Sequence, residues 1–91
     1  MGETLSFHIP LVDEQGQSKG RMYLHFQKRP RDLPRAGESV VVGGVGLDIT
    51  VKKVSHSGFF SRATLHFEPQ LYSWRSKLEE NDKNWKYTES D

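Results

Sequence analysis

The chain has 91 residues, a formal net charge of +1 and no cysteine. A chain of this length buries only about 60–65% of its extended surface, so it can form one domain with one small core. The absence of cysteine excludes disulfides and thiolate metal sites. No stretch has the length and apolar character of a membrane span or a secretion signal, so we expect a soluble, cytoplasmic protein with no membrane partner.

The first part of the chain predicts two strands joined by a turn. Apolar residues occupy every second position from Leu5 to Leu11 in LSFHIPLV, which indicates a half-buried strand. The next segment, DEQGQSKG, is polar and contains two glycines, as is typical of a turn. RMYLHFQKR then places Met22, Leu24 and Phe26 on one face of a second strand.

A loop and two further strands are predicted next. PRDLPRAGE is expected to be a loop because its prolines lack an amide hydrogen. SVVVGG predicts a short third strand, and the glycine pair in VVGGVG predicts a hairpin turn. VVGGVG lacks the lysine and hydroxyl residue of a phosphate-binding loop, so we do not expect it to bind phosphate. In VGLDITVKKVSHS the apolar alternation changes parity, which predicts a bulge at Lys52 or Lys53.

The last third of the chain predicts one more strand and a helix. RATLHFEP alternates as a fifth strand, which Pro69 ends. In LYSWRSKLEEN, Leu71, Trp74 and Leu78 share one face of a helix near residues 71–80. Residues 81–91 are charged and have no apolar period, so they are expected to form a partly disordered tail.

These elements predict a mainly β fold with a single domain over residues 1–80. Five short strands, one of them bent, favour a small five-stranded SH3-like barrel or orthogonal sandwich with a short C-terminal helix. Closure of the sheet would also hide the edge strands.

Two segments carry a resemblance at the level of architecture. DLPRAGESVVVGG and LDITVKKVSHS resemble the small SH3-like β-barrel proteins of bacteria and phages, in which a Leu-Pro-x-x-Gly-Glu loop leads into an aliphatic strand. The resemblance covers about residues 21–68. It implies a bacterial or phage protein with an SH3-like barrel, and it implies no catalytic residue, because this fold carries unrelated functions.

Three histidines, His8, His25 and His66, alternate with apolar residues in predicted strands. Each is expected on the outer face of its strand, where neighbouring strands could bring two of them within reach of one metal ion. No carboxylate is spaced to orient the rings, so we favour three solvent-facing positions and predict no metal and no cofactor. The serines beside His56 do not establish triad geometry, so we predict no catalytic residue and no enzyme.

Positive charge is concentrated on the second strand and the loop after it. Against Asp32, residues 19–35 contain six cations: Lys19, Arg21, Lys28, Arg29, Arg31 and Arg35. Beside Tyr23, these side chains offer cations for phosphates and an aromatic face for bases.

Two functions are compatible with this pattern. The first is a non-enzymatic interaction module or assembly subunit that binds a protein partner or a second copy. Its contacts would be Arg29, Arg31 and Arg35 of the 28–35 loop, with Trp85 and Tyr87 as an apolar anchor. The alternative is a nucleic-acid-binding domain that uses Arg21, Tyr23, Lys28, Arg29, Arg31 and Arg35.

Overall fold

The computed structural model describes residues 4–26, 33–42, 47–57, 62–81 and 83–89. The chain is mainly β with one short C-terminal helix, as predicted. Its elements are β1 (Thr4–Val12), β2 (Ser18–Phe26), β3 (Ser39–Val42), β4 (Leu47–Ser57), β5 (Arg62–Phe67), β6 (Gln70–Leu71), a 3₁₀ turn (Tyr72–Trp74), α1 (Arg75–Asn81) and β7 (Lys86–Thr88). The predictions for Lys28, Arg29 and Arg31 lie outside the described residues.

The strands form one open sheet in the order β3-β4-β5-β1-β2-β7, with β6 beside the end of β1. Both β5 and β6 run parallel to β1, and the other pairs are antiparallel. The five predicted strands are present as β1 to β5, but β3 and β7 stand at opposite ends of the strand order. The hydrogen-bonded order of the described strands is therefore open, where the sequence predicted closure.

The turn between β1 and β2 is built around one aspartate. The Asp13 carboxylate accepts hydrogen bonds from the backbone N–H groups of Gln15 and Gln17, both at 2.9 Å. Gly16 between them has φ = 84°, a conformation that residues with a Cβ adopt at a cost. The predicted turn is confirmed, and it fixes the register in which β2 lies beside β1.

The predicted bulge in β4 is also confirmed. The pairing of β4 with β5 shifts register between Val51 and Lys53. Val51 also exchanges backbone hydrogen bonds of 2.8 Å with Gly37 and Glu38 of the preceding loop. The extra residue directs Lys53 to the outer face of the sheet and lets Val54 pack against the core.

One side of the sheet, called here the inner face, carries the core. Alternate residues of β1, β2, β5 and the first half of β4 are buried on it, together with one residue of α1 and one that precedes β7. The buried core residues are Leu5, Phe7, Ile9, Leu11, Met22, Leu24, Ile49, Val51, Ala63, Leu65, Phe67, Leu78 and Trp85. Residues at the intervening positions of these strands lie on the outer face.

The helix begins later than predicted, and its face is narrower. Leu78 is fully buried, but Leu71 belongs to β6 and is 44% exposed, while Trp74 is only half-buried. The predicted apolar face of Leu71, Trp74 and Leu78 is therefore wrong except at Leu78. Arg75 and Glu79, four residues apart, form an ion pair on this helix, with Arg75 Nε 2.9 Å from Glu79 Oε1. No helix in the described part of the chain is long and apolar enough to span a membrane.

Part of the predicted tail is a strand. Residues 86–88 form β7, which pairs with β2, and Trp85 before it is 5% exposed. Tyr87 donates its hydroxyl to the Lys19 carbonyl at 2.6 Å, and the Arg75 guanidinium lies 3.8 Å from the centre of the Tyr87 ring. Trp85, which the sequence suggested as an apolar anchor for a partner, therefore packs on its own chain.

Candidate functional site

Five side chains of five neighbouring strands form a line across the outer face. Lys53 of β4 is paired with His66 of β5, and His66 with His8 of β1. His8 is paired in turn with Tyr23 of β2, and Tyr23 with Lys86 of β7. At about 4.8 Å between strands, this line spans roughly 19 Å. We call these five residues the histidine row.

The two histidines at the centre of the row contact each other directly. Their Nδ1 atoms are 3.1 Å apart, a hydrogen bond that requires a proton on one ring and a lone pair on the other. Ser55 Oγ lies 2.9 Å from the second ring nitrogen of His66, Nε2. The His8 ring also stacks on the Tyr23 ring, with centroids 4.9 Å apart and planes 9° from parallel. Ser55 thus restrains the His66 ring, and Tyr23 restrains the His8 ring.

The surroundings of this histidine pair favour its neutral form. Burial, followed by the charges of His66, Arg21 and Lys53, lowers the pKa of His8 below 6.5. Burial, followed by the charge of Lys53, lowers the pKa of His66. His8 Nε2 is buried and has no hydrogen-bond partner among the described residues, so a second proton on this ring would have no acceptor.

Polar residues flank the histidine row on both sides. The next line of paired residues runs from Ser55 through Thr64 and Ser6 to His25, and Ser6 Oγ is 2.9 Å from His25 Nδ1. On the other side, Arg21 donates from Nη1 to the Tyr23 hydroxyl at 3.3 Å. The centre of the outer face is thus polar, and Arg21 adds its charge beside Tyr23.

Positive charge dominates the part of this face around the histidine row. The strands β1, β2, β5 and β7 contain no aspartate and no glutamate, but they carry the cations Lys19, Arg21, Arg62 and Lys86. The second half of β4 adds Lys52 and Lys53. Among the described strand residues the one acid is Asp48, in the first half of β4 before the bulge, while Glu68 and Glu89 follow β5 and β7.

The contacts of Ser55, His66 and His8 have the spacing of a nucleophile, a base and an orienting group. Ser55, however, lies inside β4 opposite Thr64. Catalytic serines of this kind sit on tight turns, where free backbone N–H groups stabilise the oxyanion. We therefore interpret this chain of hydrogen bonds as a cross-strand network that holds the rings in place.

The histidine pair also has the separation of two ligands on one metal ion. His25, the third histidine considered from the sequence, is instead bonded to Ser6. Among the described residues, no group of three histidine, aspartate or glutamate side chains is arranged to hold a metal ion. The structure thus brings two of the three histidines together and leaves the third apart.

The residues predicted to bind a partner are divided between different places. Arg21 and Tyr23 lie together on the outer face beside the histidine pair. Arg35 lies in the loop before β3, and Tyr87 points to the inner side with the core. Trp85 is buried in this chain, so its ring is not an exposed anchor in this structure.

Sequence reasoning did not include Lys53, Lys86, His8 or His66 in the binding surface. The LHF segments at His25 and His66 look equivalent in the sequence, and only the parallel pairing of β1 with β5 selects His66 as the neighbour of His8. A signal was available for the charge, because RMYLHFQKR contains three cations and no acid, and VKKVSHS contains two lysines and no acid.

Comparison of the chain with protein-family models, with curated proteins and with solved structures found no match.

Proposed function

We propose that this protein is a non-enzymatic binding module that holds single-stranded nucleic acid on the outer face of its sheet. The observation that carries the proposal is the histidine row, which places lysines at both ends and stacked rings at the centre. The row lies on β1, β2, β5, β7 and the second half of β4, and none of these segments contains an acidic residue. Cations that follow a phosphate backbone, together with aromatic rings that contact bases, are the features of single-strand binding surfaces.

The dimensions of the row suit this ligand. A span of roughly 19 Å across the strands accommodates a few nucleotides, as in other small β domains that bind single strands. Lys53, Arg21 and Lys86 are distributed along the span, so each can contact a different phosphate. Tyr23 and His8 lie between these cations and supply flat rings.

The test is the fluorescence anisotropy of labelled single-stranded DNA and RNA about 20 nucleotides long, measured between about 50 and 200 mM salt. We expect binding that weakens steeply with salt. The double variant Arg21→Ala, Lys53→Ala should bind more weakly, and each lost phosphate contact should reduce the slope of log K against log salt by about 0.7.

The matched control is Lys83→Ala, which removes an exposed cation that precedes β7 and is not part of the histidine row. Affinity should remain that of the original chain apart from a small general effect of charge. Equal losses in the control and in the double variant would mean that attraction is unspecific, and no binding at low salt would reject the proposal.

A second candidate, a protein partner or self-association, is favoured by a groove at the loop before β3. Leu33, Pro34, Arg35, Ala36, Val54 and His56 line this groove, which has a volume of about 370 Å³. Its apolar floor and the Arg35 side chain fit an acidic, apolar segment of a partner. Arg35→Glu should then weaken self-association in sedimentation velocity while nucleic-acid binding by the outer face persists.

We also propose that the open sheet curls far enough to form an SH3-like, barrel-shaped fold. The support is that a single core cluster contains side chains from β1, β2, β4 and β5, although α1 is only seven residues long. A helix of this size cannot cover the inner face of a flat sheet, so the sheet must supply most of the cover itself.

A further inference from the structure

We propose that the histidine pair takes up one proton when the outer face binds a nucleic-acid strand, so that affinity rises as pH falls. This inference rests on the proposed function and adds a mechanism of regulation to the same site.

The hydrogen-bond network of the pair can accommodate one added proton. In the neutral pair, the single Nδ1 proton lies between His8 and His66, and Ser55 can donate its hydroxyl to His66 Nε2. If Nε2 is protonated, the Ser55 hydroxyl rotates and accepts instead, and no ring has to move. A proton on both Nδ1 atoms would place two N–H groups head to head at 3.1 Å, so a second added proton is excluded.

The charges around the pair oppose this proton in the free protein. The groups that face the pair are Arg21 and Tyr23 from β2, Lys53 and Ser55 from β4, and Lys86 beyond Tyr23 on β7. None of them is a carboxylate, and the cations lower the pKa of His8 beyond the effect of burial.

A bound phosphate backbone reverses the sign of the local field. Phosphates held by Lys53 and Arg21 neutralise the charges that keep the pair deprotonated, and they attract the proton directly. Binding therefore raises the pKa of the pair. By reciprocity of linked equilibria, protonation strengthens binding by the same factor.

The experiment measures the binding of an oligothymidine about 20 nucleotides long, at constant ionic strength, between about pH 5.5 and pH 7.5. Thymine does not titrate in this range, so the protons belong to the protein. We expect affinity to rise about three- to tenfold as pH falls, within the limit of about tenfold per pH unit for one proton. In parallel, NMR titration of the His8 and His66 Cε1–H signals should show both moving to a higher apparent pKa when the oligonucleotide is saturating.

Variants separate this pair from the other histidines. In the double variant His8→Gln, His66→Gln the dependence of affinity on pH should become shallower. His25 lies on the same face but is hydrogen-bonded to Ser6, so His25→Gln should keep the pH dependence of the original chain. Ser55→Ala removes the acceptor for the added proton and should reduce the slope with the histidines intact. The NMR titration uses the unmodified chain, so it decides the question even if a variant folds poorly.

The two proposals fail in different ways. The proton uptake would be overturned if affinity depended on pH equally in the double variant and in the original chain, or if the pKa values of His8 and His66 did not change when the oligonucleotide binds. Either result would leave the proposed function standing. Absence of binding at every pH and salt concentration would overturn both.

Discussion

At the scale of single residues, the histidine pair is an arrangement of neutral rings among cations. The Nδ1 atoms of the two rings form a hydrogen bond only while one of them carries a proton and the other does not. Because the folded chain lowers the pKa of both rings, folding and protonation compete. This competition gives a signature in stability that is independent of any ligand.

We expect the free energy of unfolding to fall as the solution is acidified. At pH values above 6.5, the histidine pKa in the unfolded chain, both rings are neutral in the folded and the unfolded state, and stability is highest. Below 6.5 the unfolded chain binds protons first, so stability is lost as pH falls through the lower pKa values of the folded state. Urea unfolding at several values between about pH 5 and pH 7.5 measures this.

The double variant His8→Gln, His66→Gln should lose less stability over the same range, and His25→Gln should behave as the original chain does. A double variant with an unchanged pH dependence would show that other groups cause it.

Two glycines in unusual conformations provide a second comparison between single residues. Gly20 has φ = 101°, and a Cβ there would overlap the Thr88 carbonyl oxygen and come within 2.9 Å of the Tyr87 ring. Gly16 has φ = 84°, but a Cβ there would meet nothing within 4 Å. The first position has both backbone strain and a clash, and the second has strain alone.

We therefore expect Gly20→Ala to lower the free energy of unfolding by about 3 kcal/mol or more and Gly16→Ala by about 1 kcal/mol. Urea denaturation of both variants measures the difference. Equal costs would mean that β7 does not press on β2 at Gly20 in solution.

At the scale of elements, β7 is joined to the rest of the molecule by side chains more than by its length. It pairs with β2 over three residues, while Trp85 enters the core and Tyr87 contacts Lys19 and Arg75. A three-residue strand alone would contribute little stability. The indole supplies the larger part, because a buried tryptophan removes a large apolar area from water.

Accordingly, Trp85→Ala should cost about 3–5 kcal/mol of unfolding free energy. Trp74→Ala is the matched control: this ring is half-buried, with the Lys77 ammonium 4.3 Å from its centre, and its loss should cost clearly less. Chemical denaturation followed by circular dichroism compares the two without relying on tryptophan fluorescence. Similar costs for both variants would contradict the placement of Trp85 in the core.

At the scale of the whole molecule, charge is distributed by face. The formal net charge is only +1, yet the outer-face strands β1, β2, β5 and β7 carry cations and no acids. The acids in the described part of the chain lie in turns and loops, in α1 and near strand ends, as Asp13 and Glu79 illustrate. A protein that is nearly neutral overall can thus attract a polyanion to one face, and salt should screen this attraction.

Much of this molecule follows from local patterns in the sequence. Apolar alternation predicts β1, β2 and β5 and the core positions on them, because a strand places every second side chain on the same face. The change of parity near Lys53 predicts the bulge. The four-residue spacing of Arg75 and Glu79 favours their ion pair. All of these depend on residues that are close in the chain.

Only the tertiary structure decided which strands that are distant in the chain are neighbours. The parallel pairing of β1 with β5 brings His8 to His66 over 58 positions, and no local pattern encodes that register. Burial of Trp85 likewise depends on a core to which distant strands contribute. The sequence around Trp85 is polar, so local patterns predict a tail there. The sequence determined the two faces of each strand, whereas long-range packing placed a particular histidine, tyrosine and lysine side by side on one of them.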